Sequence, residues 1–274
     1  MNQKLSQLAA PAIAGVVRER SVQGAIAEIK NCKCGGADMI DLHLSCLENS
    51  DAESLKNIIS STGLPVLALN YNITHDGRSA SFTEEERVAS LLRAVEAGAD
   101  GIDMQGYTFD PSSKNGFCGE DIYSFTKGDP KEIVTDEKIV SKQCELIEKV
   151  HFMGAEVLLS CHPGVAMTSE QVVDLANFLA KRSPDIIKIV TVADTADELA
   201  ESIRTMLLLK KEINIPVSYH SGGKMGTLSR IINPILGGQI IFCVDRYKEG
   251  STMGQLDLRT ARSVIDGIRK IAED

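Results

Sequence analysis

The chain has 274 residues, 43% hydrophobic and 4% aromatic, with no Trp and a net charge of −9. That length suits one large α/β domain, and the charge argues against general nucleic-acid or anionic-membrane binding. A small anionic substrate stays open, because a few local cations decide its binding. The seven cysteines, Cys32, Cys34, Cys46, Cys118, Cys144, Cys161 and Cys243, are odd in number and scattered. With no secretory leader in evidence they point to a reducing cytoplasm and to structural thiols. Cys32-Lys33-Cys34 has the spacing of neither a zinc knuckle nor a thioredoxin-type pair. No run approaches membrane-spanning length.

Strands and helices alternate along the chain. Strand Ile13–Val17 precedes helix Val22–Asn31, and Met39–Leu44 precedes Ala52–Ser60. Strand Pro65–Asn70 leads to a helix opening at Thr83, where Thr83-Glu84-Glu85-Glu86 spells a capping box. Gly101–Met104 precedes helix Asp136–Phe152, Glu156–Ser160 precedes Ser169–Ala180, and Ile186–Thr191 precedes Ala196–Glu212. Pro216–His220 with a short helix near Leu228–Leu236, then Gln239–Val244 with Leu256–Ile271, complete eight strand–helix units. An internal echo supports the tiling. Gly36-Ala37-Asp38, Gly98-Ala99-Asp100 and Gly154-Ala155-Glu156 each stand before a strand, where glycine ends a helix in the left-handed conformation. Eight such units predict a single-domain (β/α)8 TIM barrel. A doubly wound open sheet is the alternative, but the chain lacks an early Gly-x-Gly-x-x-Gly turn. Gln105–Pro130, rich in Gly, Ser, Asp and aromatics, exceeds an ordinary connection and reads as a lid, a pocket wall or an oligomer contact.

Lys188 interrupts the apolar run Asp185-Ile186-Ile187-Lys188-Ile189-Val190. A parallel strand is normally covered on both faces, and burial disfavours an ammonium, so a lysine there suits attack on a carbonyl as a free amine. The rival reading buries the stem and sends the head to solvent. Glu156–Ser160 ends in Cys161-His162, which sets a histidine at the neighbouring strand end. In a barrel the strand ends and following loops would gather Asp41, His43, Asn70, Tyr71, His75, Asp103, Gln105, His162, Lys188, His220, Arg230, Ser251 and Gln255. His151 alone of the histidines falls on a helix, as a surface residue.

From about Ile13 to Ile268 the chain resembles the type I 3-dehydroquinate dehydratases, Schiff-base (β/α)8 enzymes. The resemblance rests on Ala37-Asp38-Met39-Ile40-Asp41, Pro65-Val66-Leu67, Leu158-Leu159-Ser160-Cys161-His162, Asp185-Ile186-Ile187-Lys188-Ile189, Leu228-Ser229-Arg230-Ile231 and Ser251-Thr252-Met253-Gly254-Gln255-Leu256. It implies Lys188 as the imine-forming lysine, His162 as general acid and base, and Arg230 as the grip on a substrate carboxylate. It also implies Ser251 and Gln255 in a substrate-covering loop, a small anionic keto-acid substrate, a homodimer, and neither cofactor nor metal. Asp41, His43, Tyr71 and His220 take substrate-binding places.

The chain departs from that family at several of these places. The Glu-x-Arg-x-Asp frame at strand two reads Asp41-Leu42-His43-Leu44-Ser45, and a strand-three arginine reads Tyr71. A following Glu-rich stretch reads Asn72-Ile73-Thr74-His75-Asp76-Gly77, and methionine positions of strand seven read His220 and Gly222. Lost arginines remove bidentate carboxylate recognition. Asp41 is expected to orient His162 or a substrate hydroxyl. Three other chemistries stay open: a class I aldolase or other Schiff-base lyase, a metal site built from His43, His75, His220 and Asp41, and a non-catalytic binding protein on the same fold.

Overall fold

The computed structural model describes residues 4–71, 82–110, 132–247 and 254–273. The predicted elements appear in the predicted order. They are β1 (Ala12–Val17), α1 (Val22–Cys34), β2 (Met39–His43), α2 (Ala52–Ile59), β3 (Val66–Leu69), α3 (Glu84–Glu96) and β4 (Gly101–Gln105). After these come α4 (Glu137–Phe152), β5 (Glu156–Cys161), α5 (Ser169–Ala180), β6 (Ile186–Val192), α6 (Ala196–Glu212), β7 (Val217–Gly222), α7 (Ser229–Ile235), β8 (Ile240–Val244), β9 (Leu256–Asp257) and α8 (Leu258–Glu273). The two-residue β9, parallel to β8, was not anticipated; a strand that short carries no alternation to read.

The chain forms two compact units, Met1–Ile102 with Ile240–Asp274, and Asp103–Gln239. In the first, β1 pairs in parallel with both β2 and β8, and β2 pairs with β3. In the second, β6 pairs in parallel with both β5 and β7. These pairings are parallel, and a helix stands between each pair of successive strands from β1 to β8. Strands β1, β2, β4 and β5 are buried at every position, as expected for strands covered on both faces.

Sequence marks the start of each helix from α1 to α6. Ser21, Asp51, Thr83, Asp136, Thr168 and Thr195 each accept a backbone N–H of the first turn. The capping box at Thr83 forms as predicted, and Thr168 with Gln171 and Thr195 with Glu198 repeat it. The helix ends behave as the Gly-Ala echo implied. Gly36, Gly98 and Gly154 have φ of 97°, 107° and 84°.

The aspartates of that echo, Asp38 and Asp100, do separate work, and Asp185, which stands outside it, does the same. Asp38, just before β2, gives its N–H to the Ile13 carbonyl at 2.8 Å and accepts the Ile13 N–H on Oδ2 at 2.8 Å. Asp100 treats Val66 the same way, at 2.9 and 2.8 Å, and Asp185 treats Val157 likewise, at 2.9 and 2.8 Å. Each carboxylate satisfies a backbone donor at the start of the preceding strand and so sets its stagger. Asp185 also pairs with half-exposed His151 at 2.8 Å. Asp185→Ala should therefore lower stability in urea by about 2 kcal/mol, because a charge-assisted bond to a buried N–H is lost. His151→Ala should cost less than about 1 kcal/mol, as exposed pairs do. Equal losses in the two variants would mean that the strand-start bond contributes nothing.

Candidate active site

Period-two alternation sets the chemistry of the second unit. Ser160 of β5 lies in register with Lys188 of β6, and Lys188 with Ser218 of β7. Aligned residues of parallel strands share a face, so these three form one level. One level further along, Val190 aligns with His220, and His162 stands two residues beyond Ser160. Strand β4 contributes Asp103 and Gln105 by the same alternation.

Lys188 is 6% exposed, and its Nζ donates to Oδ2 of Asp103, itself fully buried, at 3.4 Å. The stem-buried, head-in-solvent reading of Lys188 is thereby set aside. Asp103 Oδ1 also accepts the side-chain amide of Gln105 at 3.2 Å. The buried Ser160 hydroxyl, level with Lys188, has no hydrogen-bond partner among the described residues.

His162 is held from outside the strands. Its Nδ1 lies 2.7 Å from Oε2 of Glu132, and the same oxygen accepts its backbone N–H at 3.0 Å. With Nδ1 donating, Nε2 keeps the lone pair and can take a proton. The carboxylate on His162 is thus Glu132 rather than Asp41, whose Oδ2 lies 3.2 Å from Nε2 of His43. Glu132 escaped the sequence reading because it follows the irregular segment and belongs to no motif. Asp103 was legible as a strand-end residue, but its pairing with Lys188 was not.

His220 is 6% exposed, and its pKa is held well below 6.5, first by burial and then by the charges of Arg230, Lys188 and His162 that face it. Imidazole is therefore its resting form. Arg230 lies on α7; burial lowers its pKa, and its Nε has no partner among the described residues.

The first unit holds the other expected residues. Asp41 and His43 end β2 and are buried, and the His43 ring lies 6.1 Å from that of half-buried Tyr71. Asp41 Oδ1 has no partner among the described residues, nor has Oε1 of buried Gln255, whose carbonyl accepts the Tyr247 hydroxyl at 2.7 Å. Ser251, His75 and most of the Gln105–Pro130 segment lie outside the described residues. Among the described residues no cluster of three or more His, Cys, Asp or Glu could hold a metal ion. The described cysteines are free thiols.

The family model described as Type I 3-dehydroquinase matches residues 130–271, just over half of the chain and the stretch carrying Glu132, His162, Lys188 and Arg230. The chain belongs to the type I 3-dehydroquinase family. A 3-dehydroquinate dehydratase of Alkaliphilus oremlandii is 30% identical over 127 residues, 46% of this chain and 49% of that one, so the match spans about half of its length. A 3-dehydroquinate dehydratase of Methanobrevibacter smithii is 21% identical over 86% of this chain and 87% of its own. Among solved structures, the type I 3-dehydroquinate dehydratase of Clostridium difficile, with covalently modified comenic acid, superposes with a TM-score of 0.74 at 17% identity, over 96% of this chain and 93% of that one. The 3-dehydroquinate dehydratase of Geobacillus kaustophilus gives 0.73 at 14% identity, over 97% of each. At such identities the shared property is the fold.

Neutral His220 has a measurable consequence. Once unfolded it titrates near its ordinary 6.5, whereas the folded protein resists protonating it. Below about pH 6.5 the unfolded state therefore binds the extra proton, and stability falls with pH by up to about 1.4 kcal/mol per unit. Urea denaturation at about pH 7 and pH 5 should show this loss in the wild type and a flatter dependence in His220→Met. Equal slopes would mean that His220 accepts a proton in the fold.

Proposed function

We propose that this chain removes water from 3-dehydroquinate, or a closely related cyclic keto acid, through an imine on Lys188. The observation carrying the reading is the placement of Lys188 inside a buried strand, against Asp103, in the unit where Glu132 holds His162. The amine of Lys188 adds to the substrate ketone, and the carbinolamine loses water to give a protonated imine. The Asp103 carboxylate faces the cation that forms, an interaction strengthened by the low dielectric of the interior. Nε2 of His162 takes the proton alpha to the imine, the electron pair moves to expel the beta hydroxyl, and His162 returns that proton to the departing oxygen. Water then hydrolyses the conjugated imine and frees Lys188, so the balance is one water lost. General acid–base help of this kind contributes roughly 10²–10⁴-fold.

Arg230 takes the substrate carboxylate with its unpartnered Nε, which fixes a near-attack orientation. His220, a neutral imidazole, offers the substrate one donor and one acceptor. Family resemblance alone assigns Asp41, His43, Tyr71, Gln255 and Ser251 to recognition. On the same ground we read the eight strand–helix units as a single closed (β/α)8 barrel domain, homodimeric and cytoplasmic. The parallel strands and the superposition with known dehydratases support the barrel.

Borohydride reduction in the presence of 3-dehydroquinate should leave an adduct on Lys188 and on no other lysine, and Lys188→Ala should abolish it. His162→Ala should slow turnover by roughly a hundredfold or more while imine trapping persists, because attack by the amine precedes proton removal. An adduct on Lys224, or near-normal turnover in His162→Ala, would reject the mechanism. Trapping of a different ketone with release of two smaller carbonyls would favour the aldolase.

Authentic 3-dehydroquinate should also bind less well here than to enzymes with arginines at strands two and three. Each lost charged hydrogen bond weakens binding by roughly 1.5–3 kcal/mol. The deficit should appear in KM, since such contacts act equally on ground and transition states. An ordinary KM would mean that His43 and Tyr71 compensate.

A further inference from the structure

Arg182 is 3% exposed and follows α5, yet no carboxylate among the described residues pairs with it. Burial lowers its pKa. Its guanidinium spends its donors on neutral oxygens instead: Nε on Oε1 of Gln143 at 2.7 Å, one terminal nitrogen on the Val134 carbonyl at 2.8 Å, the other on Phe178 O at 3.2 Å. It also lies over the Phe178 ring at 4.6 Å. Gln143, fully buried on α4, turns its own amide to the carbonyls of Gly106 and Thr108, each at 2.9 Å. A buried cation without a counter-charge costs stability. Here the arrangement joins the chain leaving β4, at Gly106 and Thr108, to the chain returning at Val134.

Glu132 stands two residues before Val134, with φ of 61°, a left-handed conformation uncommon outside glycine. Its carbonyl accepts the Cys161 thiol at 3.4 Å and lies so near Gly106 that a Cβ there would collide with it. A non-glycine residue keeps such a backbone only when its surroundings over-determine it. Its carboxylate takes both the backbone N–H and Nδ1 of His162.

We propose that Arg182 and Gln143 are positioning residues, which hold Glu132 on His162 and thereby fix which imidazole nitrogen faces the substrate. The catalytic half of this inference rests on the reading of His162 as the proton-transfer group. The geometric half does not. Nitrogen spectra of histidine-labelled protein, with His162 assigned through His162→Gln, read its tautomer directly. Wild type should show a single Nδ1–H form, while Arg182→Met, Gln143→Leu and Glu132→Gln should each show a mixture. Both Arg182→Met and Gln143→Leu keep the buried volume, so one folded variant suffices. In turnover, each should lower kcat about tenfold with Lys188 trapping nearly intact, whereas a general loss of folding would lower both. Added to Glu132→Gln, Arg182→Met should lower kcat by less than about twofold, since the two act through one contact. Arg182→Lys, which keeps donors for Gln143 and Val134, should recover part of the loss. An unchanged His162 signal in folded Arg182→Met and Gln143→Leu, or fully multiplicative effects in the double variant, would overturn the assignment. A wild type that forms no adduct with any keto acid would overturn the reading of the reaction, and the tautomer spectra would still decide the positioning claim.

Discussion

The inner face of the second unit's strands answers one demand, that a lysine nitrogen inside a parallel sheet be met by a carboxylate. Lys188 lies level with Ser160 and Ser218, and Asp103 answers it from β4 at 3.4 Å. A buried ion pair rarely adds net stability against an apolar pair of the same volume, although removing one partner alone costs several kcal/mol. The pair therefore fits the chemistry we propose for Lys188 better than a role in folding alone. Charge is taken up at this level, and at the next the imidazole of His220 is left neutral first by its burial and then by the charges of Arg230, Lys188 and His162.

The opposite faces of the same strands carry a different polarity. Thr191 of β6 meets the Tyr219 hydroxyl at 2.9 Å and Ser221 Oγ at 3.0 Å, and Ser221 Oγ donates to Ser202 of α6 at 2.8 Å. Asn233 of α7 reaches the same Ser202 hydroxyl at 3.2 Å, while Ser229 Oγ accepts the Ser221 N–H at 2.8 Å. These are neutral hydroxyls and amides, which bond one another under full burial without the desolvation that ions suffer, although Oδ1 of Asn233 has no partner among the described residues. Their effect is to seat α7, which lacks a side-chain N-cap, against β7. Arg230 follows Ser229 directly, so the arginine we propose as the grip on a substrate carboxylate is anchored through the outer face of the sheet.

Local signals carried most of the fold. Helices α5 and α6 begin and end where the alternation of caps and apolar positions set them, and the strands differ by one or two residues. Lys188, His162 and His220 were legible because polar residues at period-two positions of apolar strands stand out. The Gly-Ala-Asp echo was legible as punctuation, yet its aspartates also bond the preceding strand, a long-range role that spacing alone does not announce. Glu132, Gln143 and Arg182 were illegible for a related reason. Gln143 reads as an ordinary polar helix residue and Arg182 as a surface charge after α5. Their meaning lies in contacts 30 to 48 residues apart along the chain.

The two carboxylate–histidine pairs show how the same residue types diverge by setting. In the first unit Asp41 reaches His43 two residues away along β2, at 3.2 Å, with both side chains buried and Oδ1 of Asp41 left without a partner among the described residues. In the second unit Glu132 meets His162 at 2.7 Å while also accepting its backbone N–H, and the imidazole is 28% exposed. A proton-transfer group needs one ring nitrogen fixed and a ring within reach of substrate, and the second pair has Nδ1 held by Glu132 on a partly exposed imidazole. The first pair is sequestered and has an oxygen to spare, which suits accepting a hydrogen bond from a substrate hydroxyl more than moving a proton. One pair therefore suits the proton chemistry we propose and the other the recognition we propose, a division that residue type alone does not reveal.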